Sequence, residues 1–103
     1  MTTSTDIAQA IQIARSYLAE HPEEARYTDS AACAVVEQGL RCRVDGPGGM
    51  AIYTDMPAGV GGESSAPSPG WLLRAGQASC EATLITMRAA ELGIPVQRVA
   101  VVV

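Results

Sequence analysis

The sequence has no lysine and no phenylalanine, and among its 103 residues it has one histidine and one tryptophan. All seven basic residues are therefore arginines, and eleven acidic residues bring the net charge to −4. An acidic chain without a run of basic residues argues against nucleic acid or an anionic membrane as a partner. Because aromatic residues are scarce, we expect a core of alanine, valine, isoleucine and leucine.

Long apolar runs and targeting signals are also missing. No stretch of the sequence is apolar for long enough to cross a bilayer. The first residues do not combine a charged segment with an apolar one, as a secretory signal does. The expected compartment is therefore the cytoplasm, and the length corresponds to one domain at most.

The cysteines lack the spacing of a structural framework. Cys33, Cys42 and Cys80 are odd in number and form no Cys-X-X-Cys motif, which argues against a disulfide network or a zinc knuckle. With His21 as the only histidine, we expect no metal site. In a reducing compartment the thiols are expected to be free, and Cys33 and Cys42, in apolar strand positions, are expected in the core.

The N-terminal part predicts a helix and a connector. Residues 6–20 place apolar side chains three and four positions apart, which is typical of an amphipathic helix. Thr5 or Ser4 is expected to cap it, and His21, which precedes a proline, to end it. Residues 23–30 are a polar connector, so residues 1–30 comprise an N-terminal helix and connector that precede residues 31–103.

Three short strands are predicted next. Residues 31–37 form an apolar strand, and Gly39 breaks or bulges it. Residues 40–44 continue as a second strand or as the far side of that bulge, with Arg41 and Arg43 on one face. A Gly/Pro turn at 45–49 then leads to an antiparallel strand at 50–54.

A loop at residues 55–67, rich in glycine, proline and serine, leads into the longest predicted helix, at 68–93. Ser68 is expected as its N-cap, with Pro69 in the first turn and Gly93 at the C-terminus. Its side chains are apolar or small on most faces, which predicts a buried helix.

The last ten residues, 94–103, predict a strand that ends on three valines. Such a strand leaves an unprotected sheet edge. Either a partner subunit pairs with this edge, or the chain is a fragment of a longer domain.

Cys80 lies in the middle of the long helix, where it either fills space or reacts. It is about three turns from the positive end of the helix dipole, and its neighbours three and four positions away are uncharged. A reactive thiolate needs a nearby cation, which must come from another element. Arg41 and Arg43 are the candidates, and either could instead belong to a solvated strand face.

A series of motifs carries a family resemblance: Asp55-Met56-Pro57, Val60-Gly61-Gly62, Ala66-Pro67-Ser68-Pro69-Gly70, Leu72-Leu73 and Ala78-Ser79-Cys80. In this order they resemble the OsmC/Ohr family of thiol-dependent hydroperoxide reductases, whose central helix carries the peroxidatic cysteine. Glu37-Gln38-Gly39-Leu40-Arg41 resembles the segment of the family's activating arginine. The likeness covers residues 31–103, the N-terminal two thirds of the family domain.

The resemblance implies an α+β fold in which antiparallel sheets wrap around central helices in an intertwined homodimer. It implies an antioxidant, stress-response peroxidase that reduces organic hydroperoxides with an external dithiol and without a cofactor. Cys80 would be the nucleophile, converted to a sulfenic acid, and Arg41 its activator. Leucine, valine and methionine side chains would form the apolar mouth of the site.

Two departures from the family pattern keep other functions open. Gly70 stands where the hydroperoxide-resistance branch has a glutamate, with Glu63 as a possible substitute, and the chain ends before the family's resolving cysteine. One alternative is a dimeric structural or small-molecule-binding protein with Cys80 in its core. The other is a redox sensor.

Overall fold

The computed structural model describes residues 1–103. It contains two helices and three strands: α1 at Ser4–Glu20, β1 at Cys33–Gln38, β2 at Arg41–Asp45, β3 at Ala51–Thr54 and α2 at Pro69–Glu91. The strands form one antiparallel sheet in the order β1-β2-β3. The α+β class predicted from the sequence is therefore confirmed.

The chain divides into two compact units. The helical unit consists of Met1–Tyr27 and Gln77–Val103, and the sheet unit consists of Thr28–Gly76. The division falls within α2, whose first turns belong to the sheet unit and whose remainder belongs to the helical unit.

In the helical unit, α1 begins with a capping box. The Thr3 hydroxyl accepts a hydrogen bond from the Asp6 amide at 3.2 Å, and the Asp6 carboxylate accepts from the Thr3 amide at 2.9 Å. The N-cap is thus Thr3 rather than Ser4 or Thr5. At the other end, the His21 amide donates to the Tyr17 carbonyl at 2.9 Å, which confirms the predicted helix end.

The predicted ends of α2 are also confirmed. The Ser68 hydroxyl accepts from the Trp71 amide at 3.2 Å, as an N-cap does. Gly93 has φ +66°, a left-handed conformation that lets its own amide and that of Ile94 bond back to carbonyls of the last turn. Within the helical unit, Arg15 of α1 forms an ion pair with Glu91 of α2 at 2.6 Å.

The sheet unit is built on two hairpin connections. Gln38 pairs with Arg41 across a tight turn that contains Gly39, and the register is irregular just before it, so the predicted break at Gly39 is a turn between two strands. Arg43 lies opposite Val35 on one side and Tyr53 on the other. Since paired residues share a sheet face and alternate residues repeat it, both arginines of β2 lie on the face of Tyr53.

The prediction that α2 is buried is wrong for the single chain. Ala90 is the only buried apolar residue, and the other buried residues are Thr54 and Asp55. A helix of 23 residues is about 35 Å long, whereas three strands about 4.8 Å apart form a much narrower sheet. One chain therefore lacks the sheet area needed to enclose this helix.

The C-terminal strand predicted at residues 94–103 is also wrong. The structure assigns no strand there, and no backbone hydrogen bond joins residues 95–103 to another part of the chain. The helical unit, to which this segment belongs, contains no strand. Its N–H and C=O groups consequently have no ladder within their own unit.

Candidate functional site

Cys80 lies on α2 in the helical unit, and its thiol is free and exposed. It is therefore not a core residue in the single chain. A thiol that reacts with a dissolved substrate must be accessible in this way. Of the other two cysteines, Cys33 is exposed and Cys42 is half-buried, so the prediction that both belong to the core is wrong for Cys33.

A pocket of about 420 Å³ lies in the helical unit along the same stretch of α2 as Cys80. Its lining is largely apolar and comprises Ile7, Ala82, Thr83, Thr86, Met87 and Val99. Met87 follows Cys80 by seven residues, which places it two turns away on nearly the same helix face. Cys80 itself does not line the pocket, and the lining residues nearest to it in the sequence are Ala82 and Thr83.

Arg41 is the first residue of β2, and two contacts hold its guanidinium group. One terminal nitrogen, Nη1, donates to the Ser65 hydroxyl at 2.7 Å. The guanidinium carbon lies 4.5 Å from the centre of the Tyr53 ring, in a cation–π contact. The structure therefore brings Arg41 together with two residues that the sequence analysis did not select.

Arg43, the other candidate cation, is already paired. Its guanidinium lies 3.1 Å from an Asp45 oxygen and 3.3 Å from a Glu37 oxygen. The hydrogen bond and the charge of Asp45, followed by the charge of Glu37, raise the pKa of Arg43. Of the two arginines, Arg41 is thus the one without a carboxylate in direct contact, which favours it as the cation that acts on a ligand.

Asp55 is the centre of the loop that follows β3, and its residue is only 2% exposed. Its carboxylate accepts from the amides of Met56 at 2.8 Å, Glu63 at 3.2 Å and Ser65 at 3.1 Å, and from the Ser65 hydroxyl at 2.6 Å. These bonds, that of the Ser65 hydroxyl first, lower the Asp55 pKa to about 2. Asp55 therefore remains ionised at neutral pH and fixes the loop from inside.

The conformation of this loop requires glycine at both position 61 and position 62. Gly61 has φ +96°, which a residue with a side chain rarely adopts. A Cβ atom on Gly62 would overlap the backbone carbonyl of Met56, the residue after Asp55. Both glycines are consequently needed for the chain to fold closely around the Asp55 carboxylate.

A second pocket, of about 430 Å³, lies in the sheet unit beside this loop. Asp55 lines it together with two prolines, Pro57 and Pro67, and the indole of Trp71. Trp71 is 51% exposed. Such a pocket is large enough for part of a small organic molecule.

Asp55 was named only as part of the Asp55-Met56-Pro57 motif, without a role in the site, and Ser65 belongs to none of the motifs. The available signal was a lone aspartate before a loop rich in glycine and serine, because such loops supply amides and hydroxyls to a carboxylate. Glu63, considered as a substitute for the family glutamate, contributes its backbone amide to Asp55, and its carboxylate has no partner. Gly70, at the position where the glutamate was expected, has no side chain that could pair with Arg41.

The two residues selected from the sequence, Cys80 and Arg41, belong to different units of the chain. Neither helix has the length and apolar composition that crossing a membrane requires. The chain matches no protein-family model, no curated protein and no solved structure.

Proposed function

We propose that the protein is a thiol-dependent peroxidase of the OsmC/Ohr type, which reduces organic hydroperoxides. The observation that carries the proposal is the exposed Cys80 thiol on α2, just before the stretch of the same helix, residues 82–87, that contributes to a largely apolar pocket. An exposed thiol suits attack on a peroxide, and an apolar pocket suits the organic group that distinguishes these substrates from hydrogen peroxide.

The proposed reaction is a direct displacement on oxygen. The Cys80 thiolate attacks the hydroperoxide oxygen that carries hydrogen, the O–O bond breaks, and the organic group leaves as an alkoxide. The alkoxide takes up a proton and departs as the alcohol, while Cys80 remains as a sulfenic acid. An external dithiol then reduces the sulfenic acid to the thiol, giving a disulfide and water.

Arg41 is the proposed electrostatic partner of this reaction. A guanidinium stabilises both a thiolate and the negative charge that develops on the departing oxygen. Arg41 is preferred for this role because no carboxylate is in direct contact with it, whereas two carboxylates contact Arg43.

We also propose that the active form is an intertwined homodimer in the cytoplasm, where a reducing environment keeps Cys80 as a thiol. Apolar side chains lie exposed in both units, for example Val36 and Ile52 in the sheet and Leu84 and Ile85 on α2. Both outer strands of the sheet also have unpaired edges. A second copy of the chain would cover these surfaces and could bring an arginine to each thiol.

A non-catalytic small-molecule-binding protein is the second candidate function. The observation in its favour is the pocket beside Trp71 in the sheet unit, which contains no cysteine. In this case Cys80 would have no role in the function, and a ligand would change the fluorescence of the single tryptophan.

Hydroperoxide consumption by variants distinguishes the two candidates. The reduced protein, Cys80→Ser and Cys33→Ser are each mixed with cumene hydroperoxide and dithiothreitol, and the remaining peroxide is measured over time. Cys33 is the matched control because it is also an exposed, free cysteine. We expect turnover by the unsubstituted protein and by Cys33→Ser, and none by Cys80→Ser. Consumption no faster than by free cysteine would refute the peroxidase.

A further inference from the structure

The Ser65 hydroxyl connects a fixed negative charge to Arg41. Its oxygen lies 2.6 Å from Asp55 Oδ2 and 2.7 Å from Arg41 Nη1. The Asp55 carboxylate is ionised at neutral pH and can only accept a hydrogen bond, whereas a guanidinium can only donate. The Ser65 proton therefore points toward Asp55, and a lone pair of the same oxygen receives the Arg41 N–H.

The direction of these two bonds strengthens both. A hydroxyl that donates to an anion becomes a better acceptor, so the Asp55 charge is transmitted to Arg41 through Ser65. Asp55 is itself held by three backbone amides of its loop, which makes it a rigid anchor. Arg41 is thus held by a negative charge that it does not touch.

The Tyr53 ring supplies a second contact, on a different part of the guanidinium. Two contacts, one at Nη1 and one at the plane of the group, restrict both its position and its rotation. Of the five N–H donors of a guanidinium, Ser65 takes one. The remaining N–H groups of Arg41 have no partner in the chain and are available to a ligand.

We infer that Ser65 is a positioning residue for Arg41, which holds the guanidinium so that its remaining N–H groups can receive an oxyanion. The inference rests on the proposed function, in which that oxyanion is the alkoxide leaving the hydroperoxide. A direct bidentate Asp55–Arg41 pair would occupy two of the five N–H donors and offset the charge at contact distance. The intervening hydroxyl fixes Arg41 and leaves its charge available.

Ser64 provides the matched control. Its hydroxyl also accepts a hydrogen bond within the loop, from the Ala58 amide at 3.2 Å, but forms no hydrogen bond with Arg41. Ser65→Ala removes the connecting hydroxyl, Ser65→Thr retains a hydroxyl at the same position, and Ser64→Ala removes the neighbouring one. Comparison of the three separates loss of the Arg41 contact from a general loosening of the loop.

The test measures Arg41 itself as well as the reaction. The order parameter of the Arg41 Nε–H group is obtained by NMR, with Arg41→Lys used to assign the signal, and kcat/KM is measured with cumene hydroperoxide. For Ser65→Ala we expect the group to become flexible, with an order parameter below about 0.6. We expect kcat/KM to fall by about ten- to a hundredfold. Ser65→Thr should restore both values, and Ser64→Ala should change neither.

Several results would overturn the inference. A flexible Arg41 Nε–H group in the unsubstituted protein would by itself overturn it. So would an order parameter unchanged in Ser65→Ala, or a kcat/KM that Ser64→Ala lowers as much as Ser65→Ala. If the unsubstituted protein does not reduce hydroperoxides, the proposed function fails, while the order parameters still show whether Ser65 holds Arg41.

Discussion

Replacing Gly62 by alanine tests the loop on which the candidate site depends. A Cβ at this position would overlap the backbone carbonyl of Met56. Neither side can easily move: the Met56 amide donates to Asp55 at 2.8 Å and its carbonyl accepts from the Ser64 amide at 3.1 Å. The Gly62 amide donates to the Pro57 carbonyl at 3.1 Å. Relief of the overlap therefore breaks at least one of these hydrogen bonds.

The cost follows from two contributions. Overpacking of a fixed site costs about 1–3 kcal/mol, and each lost hydrogen bond about 0.5–1.5 kcal/mol. We therefore expect Gly62→Ala to lower the free energy of unfolding by about 2–4 kcal/mol. Gly59→Ala is the control, because its Cβ would have no atom within 4 Å. Its effect should stay within about 0.5 kcal/mol.

The assay is urea unfolding at one fixed protein concentration, since the proposed dimer would make stability depend on concentration. The single tryptophan, Trp71, lines the pocket beside the loop, so its fluorescence reports unfolding of the loop. Circular dichroism reports unfolding of the helices. Equal midpoints and slopes for Gly62→Ala and Gly59→Ala would refute the close approach of the loop to Met56.

Three further predictions concern the buried carboxylate, the pocket and the assembly. The Asp55 pKa is about 2 in the folded protein against an ordinary 3.8, so its stabilisation is complete above the higher value and is lost as the pH falls toward the lower one. Asp55→Asn should remove this part of the pH dependence in unfolding measurements between pH 5 and 2, and an unchanged profile would contradict it. If the proposed function is correct, Ile7→Ser should raise KM for cumene hydroperoxide by about five- to thirtyfold and leave hydrogen peroxide turnover unchanged, because the pocket is proposed to hold only the organic group. An equal change in the turnover of both peroxides would contradict the assignment of this pocket to the organic group. Sedimentation equilibrium should give twice the 10.7 kDa chain mass at micromolar concentration, and a monomer at that concentration would contradict the proposed dimer.

The local features of the fold were predictable because each depends on neighbouring residues. The cap at Ser68, the left-handed Gly93 and the helix end at His21 follow from the conformational preferences of single residues and their hydrogen bonds within one turn. At Gly39 the sequence left a break and a bulge open, and the structure has a turn between two strands there. The α1 cap was predicted at Ser4 or Thr5 but is Thr3, because Thr3 and Asp6 form a capping box.

The non-local features were not predictable from residue patterns. The apolar surface of α2 indicated burial, but burial requires a second surface that the single chain does not supply. The apolar segment at 94–103 indicated a strand, but a strand requires a neighbouring edge. Asp55 and Ser65 come together with Arg41 only because Gly61-Gly62 lets the loop fold back, over a sequence separation of 24 residues between Arg41 and Ser65. None of these depends on a residue pattern alone.

The most direct test of the central claim is the position of the first oxygen transferred from a peroxide. The reduced protein is treated with one equivalent of cumene hydroperoxide, the sulfenic acid is trapped with dimedone, and the adduct is located by peptide mass spectrometry while the alcohol is quantified. The proposed mechanism predicts one adduct, on Cys80, formed in equal amount with the alcohol and faster than oxidation of free cysteine. An adduct distributed evenly over Cys80 and Cys33, or alcohol formation that persists in Cys80→Ser, would contradict it.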